Sequence, residues 1–289
     1  MKKLLLSLFV ILFSYVGMKA QVLSLTPHPL QNYQHPFNEE FIKRNDIQSI
    51  LVEISSKKEM DIIRPANRFL LFEFNDEGGL VSEKKFKIGE SDTLNFAFLY
   101  TDDGKLIQEQ EYIGSGILEK KYQYDENGNK SRVEYRKIDS YNKGSNIISI
   151  DSVRSIVVDG VIIQTYYNDQ DRPYREVRVY HDSLGYLNKF RETFIISHKQ
   201  NTIEYSYNDY GLLQEIDYYF AFKDKKRKEV YYYTEEGVPE SFQVYEDGVL
   251  MDRKEYLYNG DGSLKAILFK EMETNLITIW ELTYIKSPS

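Results

Sequence analysis

The chain has 289 residues, among them 25 tyrosines and 16 phenylalanines, no cysteine, and a formal charge of −8. Without cysteine it forms no disulfide and carries no lipid-modified cysteine, so its stability must come from hydrogen bonding and burial. The acidic balance argues against a nucleic-acid partner, because affinity for nucleic acid is dominated by Lys and Arg neutralising phosphates.

Lys2 and Lys3 precede an apolar run from Leu4 to Val16 that ends in Gly17-Met18-Lys19-Ala20. A basic start, a short apolar stretch and a small residue before the cut make the pattern of a secretory signal. Residues 1–20 are expected to be removed after Ala20, leaving Gln21 as the N-terminus. Loss of Lys2, Lys3 and Lys19 takes the net charge from −8 to −11. The run is shorter than the roughly 20 apolar residues that cross a bilayer. Export to the periplasm or the medium is therefore expected, with no stable membrane anchor.

Residues 21–66 contain a Pro-containing lead, Thr26-Pro27-His28-Pro29, and then a strand from Ile47 to Ile54. They are expected to cap a repeat array, whose first apolar face needs a cover. From 67 to 289 one corner recurs: an aromatic residue, then Asn, Asp or Thr, two mostly polar residues and glycine. It reads Phe74-Asn75-Asp76-Glu77-Gly78, Tyr100-Thr101-Asp102-Asp103-Gly104, Tyr124-Asp125-Glu126-Asn127-Gly128, Tyr207-Asn208-Asp209-Tyr210-Gly211, Tyr233-Thr234-Glu235-Glu236-Gly237 and Tyr258-Asn259-Gly260-Asp261-Gly262. Two copies are degenerate, with Asp171 in the glycine place and His181 in the aromatic place.

Asn or Asp at the first corner of a type I turn bonds the backbone two residues on, and the glycine takes the left-handed conformation that closes a hairpin with a bulge. The aromatic is then the last residue of one strand. Leu80, Leu106, Leu187, Leu213 and Leu264 begin the returning strands, where they can pack across from it. Glycines recur about every 25 residues, enough for two strands, so a second turn is expected midway. Its candidates are Ile88-Gly89-Glu90, Gly114-Ser115-Gly116, Lys199-Gln200-Asn201, Lys223-Asp224-Lys225 and Glu246-Asp247-Gly248. Asp159-Gly160 is a further two-residue hairpin signal. The rhythm breaks between Gly128 and Asp171, where Ser140–Asn146 reads as a longer loop.

Between turns the side chains alternate. Leu94, Phe96, Phe98 and Tyr100 share one face, as do Leu276, Thr278, Trp280, Leu282 and Tyr284. Lys130, Arg132, Glu134 and Arg136 form a charged face opposite Ser131, Val133 and Tyr135. The expected fold is all-β: tandem antiparallel hairpins in one extended, twisted or curled sheet, in part a single layer, with a face in water.

The unit Tyr122-Gln123-Tyr124-Asp125-Glu126-Asn127-Gly128 resembles the YD repeats of the RHS family, in particular small exported bacterial YD-repeat proteins, and more loosely the MORN-like repeats of the YwqK family. The RHS resemblance implies an extended sheet that curls, and in large members a shell around a toxic domain. For small exported members it implies no established activity.

No catalytic, metal-binding or cofactor-binding constellation emerges. His28 and His35 lie in the lead, His181 fills an aromatic slot and His198 precedes a turn. No His-x-His or His-x-x-x-His spacing is present. The acidic corners lack the ligand ladder of an EF-hand. Tyr218, Tyr219, Tyr231, Tyr232 and Trp280 are the candidate ligand contacts, since exposed aromatics stack on sugars or anchor a protein partner. Adjacent tyrosines point to opposite faces. The expected function is that of a non-catalytic binding or scaffold module for a protein or polysaccharide. The alternatives are a hydrolase with paired carboxylates or an accessory of a toxin system.

Overall fold

The computed structural model describes residues 23–25, 37–87, 89, 93–114, 116–139, 144–222 and 226–287. The expected signal segment lies outside them. Among these residues, eighteen strands follow one short helix: α1 (Glu39–Arg44), β1 (Ile47–Lys58), β2 (Arg64–Phe74), β3 (Leu80–Lys87), β4 (Thr93–Tyr100), β5 (Leu106–Ile113), β6 (Gly116–Tyr124), β7 (Lys130–Asp139), β8 (Ser145–Val158), β9 (Val161–Tyr167), β10 (Pro173–His181), β11 (Leu187–Phe194), β12 (Lys199–Tyr207), β13 (Leu213–Tyr219), β14 (Lys226–Tyr233), β15 (Pro239–Glu246), β16 (Val249–Tyr258), β17 (Leu264–Glu271) and β18 (Leu276–Lys286).

Each strand pairs antiparallel with its neighbours in sequence, and β1 also pairs with β18. Ile50 faces Phe72 of β2 on one side and Tyr284 of β18 on the other. The expected extended sheet, twisted or curled, is therefore corrected: it closes on itself as an up-and-down barrel of 18 strands. Closure removes the two edges that an open sheet exposes to further pairing. The segment expected to cap the array thus supplies α1 and the strand that shuts the ring.

Odd strands run from one rim, which carries the repeat corners, to the opposite rim. The corners have the expected geometry. In the first, Gly78 has φ +85° and donates its N–H to the Asn75 carbonyl, while the Asn75 side-chain oxygen accepts from the N–H groups of Glu77 and Gly79. Asp125, Asp182 and Asn208 do the same in their corners. Where a Leu follows the corner it lies opposite the aromatic, as with Tyr100 and Leu106, Tyr207 and Leu213, and Tyr258 and Leu264.

The break in rhythm is a change of rim. Asp159-Gly160, with φ of 51° and 78°, makes the β8–β9 turn where a repeat corner would stand. The next corner, Asn168–Arg172, therefore falls between β9 and β10 at the opposite rim, and Asp171 takes the glycine's place at φ 55°. Two turn expectations shift as well. Lys199-Gln200-Asn201 lies inside β12, and the chain reverses over Ile195–His198, where His198 adopts φ 56°. Ser145 and Asn146, expected in a loop, begin β8.

The α1 helix is short and capped. The Asn38 side chain accepts from Phe41 N–H, with Glu39 and Glu40 in the first turn and Lys43 and Arg44 in the last, as the helix dipole favours. It sits in the repeat-rim mouth beside β1–β3. Phe41 and Ile42 join Ile50, Val52, Phe72, Leu80 and Leu264 in one buried cluster, with the Phe37 ring 5.0 Å from Phe72 and 5.6 Å from Phe74. A Cβ on Gly78 would stand 2.2 Å from the Glu39 carbonyl oxygen, whereas one on Gly104 would meet open space. Gly104→Ala is expected to lose only the left-handed backbone preference, about 1 kcal/mol. Gly78→Ala should lose more, about 2–3 kcal/mol in all, by also displacing α1. Denaturant midpoints of the two variants check this; equal losses would deny the helix contact.

Candidate ligand-binding surfaces

Counting back in twos from a repeat-corner tyrosine identifies the side chains that face the lumen. From Tyr258 these are Tyr256 and Lys254, from Tyr233 they are Tyr231, Glu229 and Arg227, and from Tyr124 they are Tyr122 and Lys120. Cross-strand register carries the same face round the ring, as in the row Tyr231–Phe242–Lys254–Phe269–Thr278 across β14 to β18. Residues of the other parity form the outer wall.

At the repeat rim the corner tyrosines tie neighbouring hairpins together. Tyr100, Tyr124, Tyr207, Tyr233, Tyr258 and Tyr284 each donate the phenol O–H to a backbone carbonyl at the start of the preceding odd strand: Leu80, Leu106, Leu187, Leu213, Pro239 and Leu264, at 2.5–2.9 Å. The spacing of about 20 residues in sequence is one hairpin, so each bond fastens one repeat to the next. Burial, the largest cause, pushes all of these phenols above their ordinary value, Tyr207 to about 12.

Below this girdle the lumen wall combines aromatic rings with paired ions. Glu109 accepts from Lys120 Nζ at 2.9 Å and Tyr122 O–H at 2.8 Å. Tyr174 donates to Asp151 at 2.6 Å. The Arg175 guanidinium lies 3.7 Å from the Tyr166 ring centroid and 3.2 Å from Glu192, which also accepts from Asn201. Lys130 stands 4.5 Å over the Tyr122 ring. It was expected on the charged face with Arg132, Glu134 and Arg136. The bulge between Gln123 and Tyr124 turns it inward and leaves those three outside.

The five aromatics chosen from sequence divide between the two faces. Tyr218 and Tyr231 are lumenal and share one network: Arg227 lies over the Tyr218 ring at 5.6 Å and pairs with Glu229 at 2.7 Å, and Glu229 accepts from Tyr231 at 2.9 Å. Trp280 is lumenal on β18, its ring 4.7 Å from that of Phe269. Tyr219 and Tyr232 are on the outer wall, 40% and 41% exposed. The lumenal Lys254, Arg175, Arg227 and Glu229 were passed over in the sequence. The parity of the corner tyrosines is the signal that reveals them.

Two cavities border the wall. One, of about 390 Å³, lies in the repeat-rim mouth between Leu23–Leu25 and the corners of β10 to β15, lined by His181, Tyr186, Tyr207 and Tyr233 among others. The other, of about 300 Å³, lies by the β13–β14 hairpin against Tyr219, Val230 and Tyr245. Among the described residues no group of three or more His, Asp or Glu side chains could hold a metal ion. His28 and His35 lie outside those residues.

The outer wall is ionic around its circumference. Lys84 pairs with Glu73, Lys121 with Glu119, Arg178 with Glu176, Lys189 with Glu204, Lys228 with Glu215 and Arg253 with Glu255. Arg136 bonds Glu134 on the same face.

No protein-family profile matches the chain, and no curated protein does. Among solved structures, a TcdB2-TccC3 toxin component without its hypervariable C-terminal region is 12% identical over 76% of this chain, with a TM-score of 0.34. The chain spans 14% of that protein's length. Porin-like proteins from Bacteroides uniformis and Bacteroides vulgatus are 10% and 13% identical, with TM-scores of 0.37 and 0.30; they cover 83% and 69% of this chain, and it covers 98% and 95% of theirs.

The tyrosine girdle has a pH signature. Folded phenols that titrate above their ordinary value of about 10 stabilise the fold fully below that pH. The contribution is lost as pH rises toward about 12, where Tyr207 ionises. A rise in stability between pH 10 and 12, followed by denaturant midpoint, would contradict the assignment. Removing one girdle hydroxyl, as in Tyr233→Phe, is expected to lower stability by about 1 kcal/mol.

Proposed function

We propose that this protein is an exported, non-catalytic binding barrel whose lumen holds an extended polysaccharide. The observation that carries the reading is the lumenal row Tyr231–Phe242–Lys254–Phe269, with Trp280 beside it, on the inner face of a closed wall. A ring of 18 strands is in the range, roughly 16–18 strands, at which barrels leave an aqueous channel. Aromatic faces stack on sugar rings, and the fixed Glu, Asn and Arg groups between them offer donors and acceptors to hydroxyls.

Binding is favoured over hydrolysis by the state of the lumenal acids. Glu109, Asp151, Glu192 and Glu229 each already bond a lysine, an arginine or a tyrosine. A glycosidase instead needs two carboxyl groups poised on either side of one bond, roughly 5–9 Å apart. The outer wall favours water over lipid, because each Arg or Lys turned to the middle of a bilayer costs about 2–4 kcal/mol. This supports a barrel in the periplasm or the medium, with water on both faces of its wall.

A glycan array probed with the protein tests the reading. Wild type is expected to retain at least one polysaccharide. The Phe269→Ala/Trp280→Ala pair should weaken it tenfold or more, and the Tyr219→Ala/Tyr232→Ala pair should leave it within twofold. The reverse pattern would move the site to the outer wall, and no retention of any glycan would sink it.

A further inference from the structure

Lumenal Lys120, Arg175 and Arg227 each have a carboxylate within ion-pair distance, at 2.9, 3.2 and 2.7 Å. Lys254 has none among the described residues. Register places it directly between Phe242 of β15 and Phe269 of β17, its Nζ 4.7 and 5.2 Å from their ring centroids. Ring faces attract an ammonium ion, but they offer weak acceptors to its three N–H donors. Burial, the largest influence on Lys254, lowers its hold on the proton. Arg227 adds to that effect, while Glu229 and Asp252 oppose it from farther off. A cation in this position is a lumenal charge whose acceptors a ligand would have to bring.

The ligand's charge follows from the setting. One lysine presents a single point charge, whereas phosphate recognition characteristically draws on the bidentate fork of arginine. A monoanion fits better, and the flat faces of Phe269 and Trp280 beside it suit a ring that carries that anion. We propose that Lys254 is the anion-binding point of the lumen, taking the carboxylate of an acidic polysaccharide whose sugar rings lie on Phe269 and Trp280. This assignment rests on the lumenal reading of the preceding subsection.

The test compares the full chain binding a polyuronate and the same polymer methyl-esterified at its carboxylates. Wild type is expected to bind the free acid at least tenfold more tightly than the ester. In Lys254→Met the acid and the ester should bind alike, and Lys254→Arg should keep most of the preference. Equal binding of acid and ester by wild type, or a preference that survives in Lys254→Met, overturns the role of Lys254 while leaving the lumenal site standing. Failure of both polymers to bind overturns both. A second measurement does not depend on the variants folding: with lysines reductively ¹³C-methylated in wild type, the Lys254 resonance should move on adding polyuronate and stay still with the ester. A resonance that ignores both excludes the contact.

Discussion

The pairing of β1 with both β18 and β2 is the constraint on which the rest of the molecule depends. Ile50, Val52 and Ile54 have lumenal neighbours on either side, Tyr284, Leu282 and Trp280 from β18 and Phe72, Leu70 and Arg68 from β2. Without that strand the sheet would have two free edges, which invite pairing with other chains. Its aromatic face would also lie open to water. With the strand in place the inner and outer faces become chemically separate spaces, and side-chain parity acquires a meaning.

The local structure was legible in the sequence because each repeat corner states its own geometry. An aromatic, an Asn or Asp and a glycine four residues after the aromatic specify the strand end, the turn and the bulge together. Closure was not legible. Ile47–Ile54 reads as an apolar strand, and nothing in its pattern names a partner at the far end of the chain. The change of rim at Asp159-Gly160 was hidden for a related reason: Tyr167-Asn168-Asp169-Gln170-Asp171 keeps the repeat's letters while standing at the other end of the barrel. Its tyrosine faces outward under Arg154, at 4.0 Å, and takes no part in the girdle.

The candidate site was half legible. Abundant tyrosine pointed to aromatic contacts, and alternation correctly separated Tyr218 from Tyr219 and Tyr231 from Tyr232. Which member of each pair faces the lumen depends on closure, which makes Tyr218 and Tyr231 lumenal. Lys130 shows the limit of simple alternation, since one bulge residue moved it to the other face. Lys254 escaped notice because a lysine between two tyrosine-rich strands reads as a solvated charge until its neighbours prove to be Phe242 and Phe269.

The two faces then divide the work. Outside, acids and bases pair across neighbouring strands. Inside, the tyrosine girdle fastens repeat to repeat, and below it the deeper rings and ions hold one another in place. A cross-link at the seam tests this account most directly. The chain has no cysteine, and Glu53 lies opposite Glu281 on the outer wall. In Glu53→Cys/Glu281→Cys, paired positions fall within the separation that a disulfide spans, about 4.4–6.8 Å between Cα atoms. Oxidation should give an intramolecular bridge in the monomer and raise the denaturant midpoint. Bridges only between molecules, or none at all, would show that the ring is open.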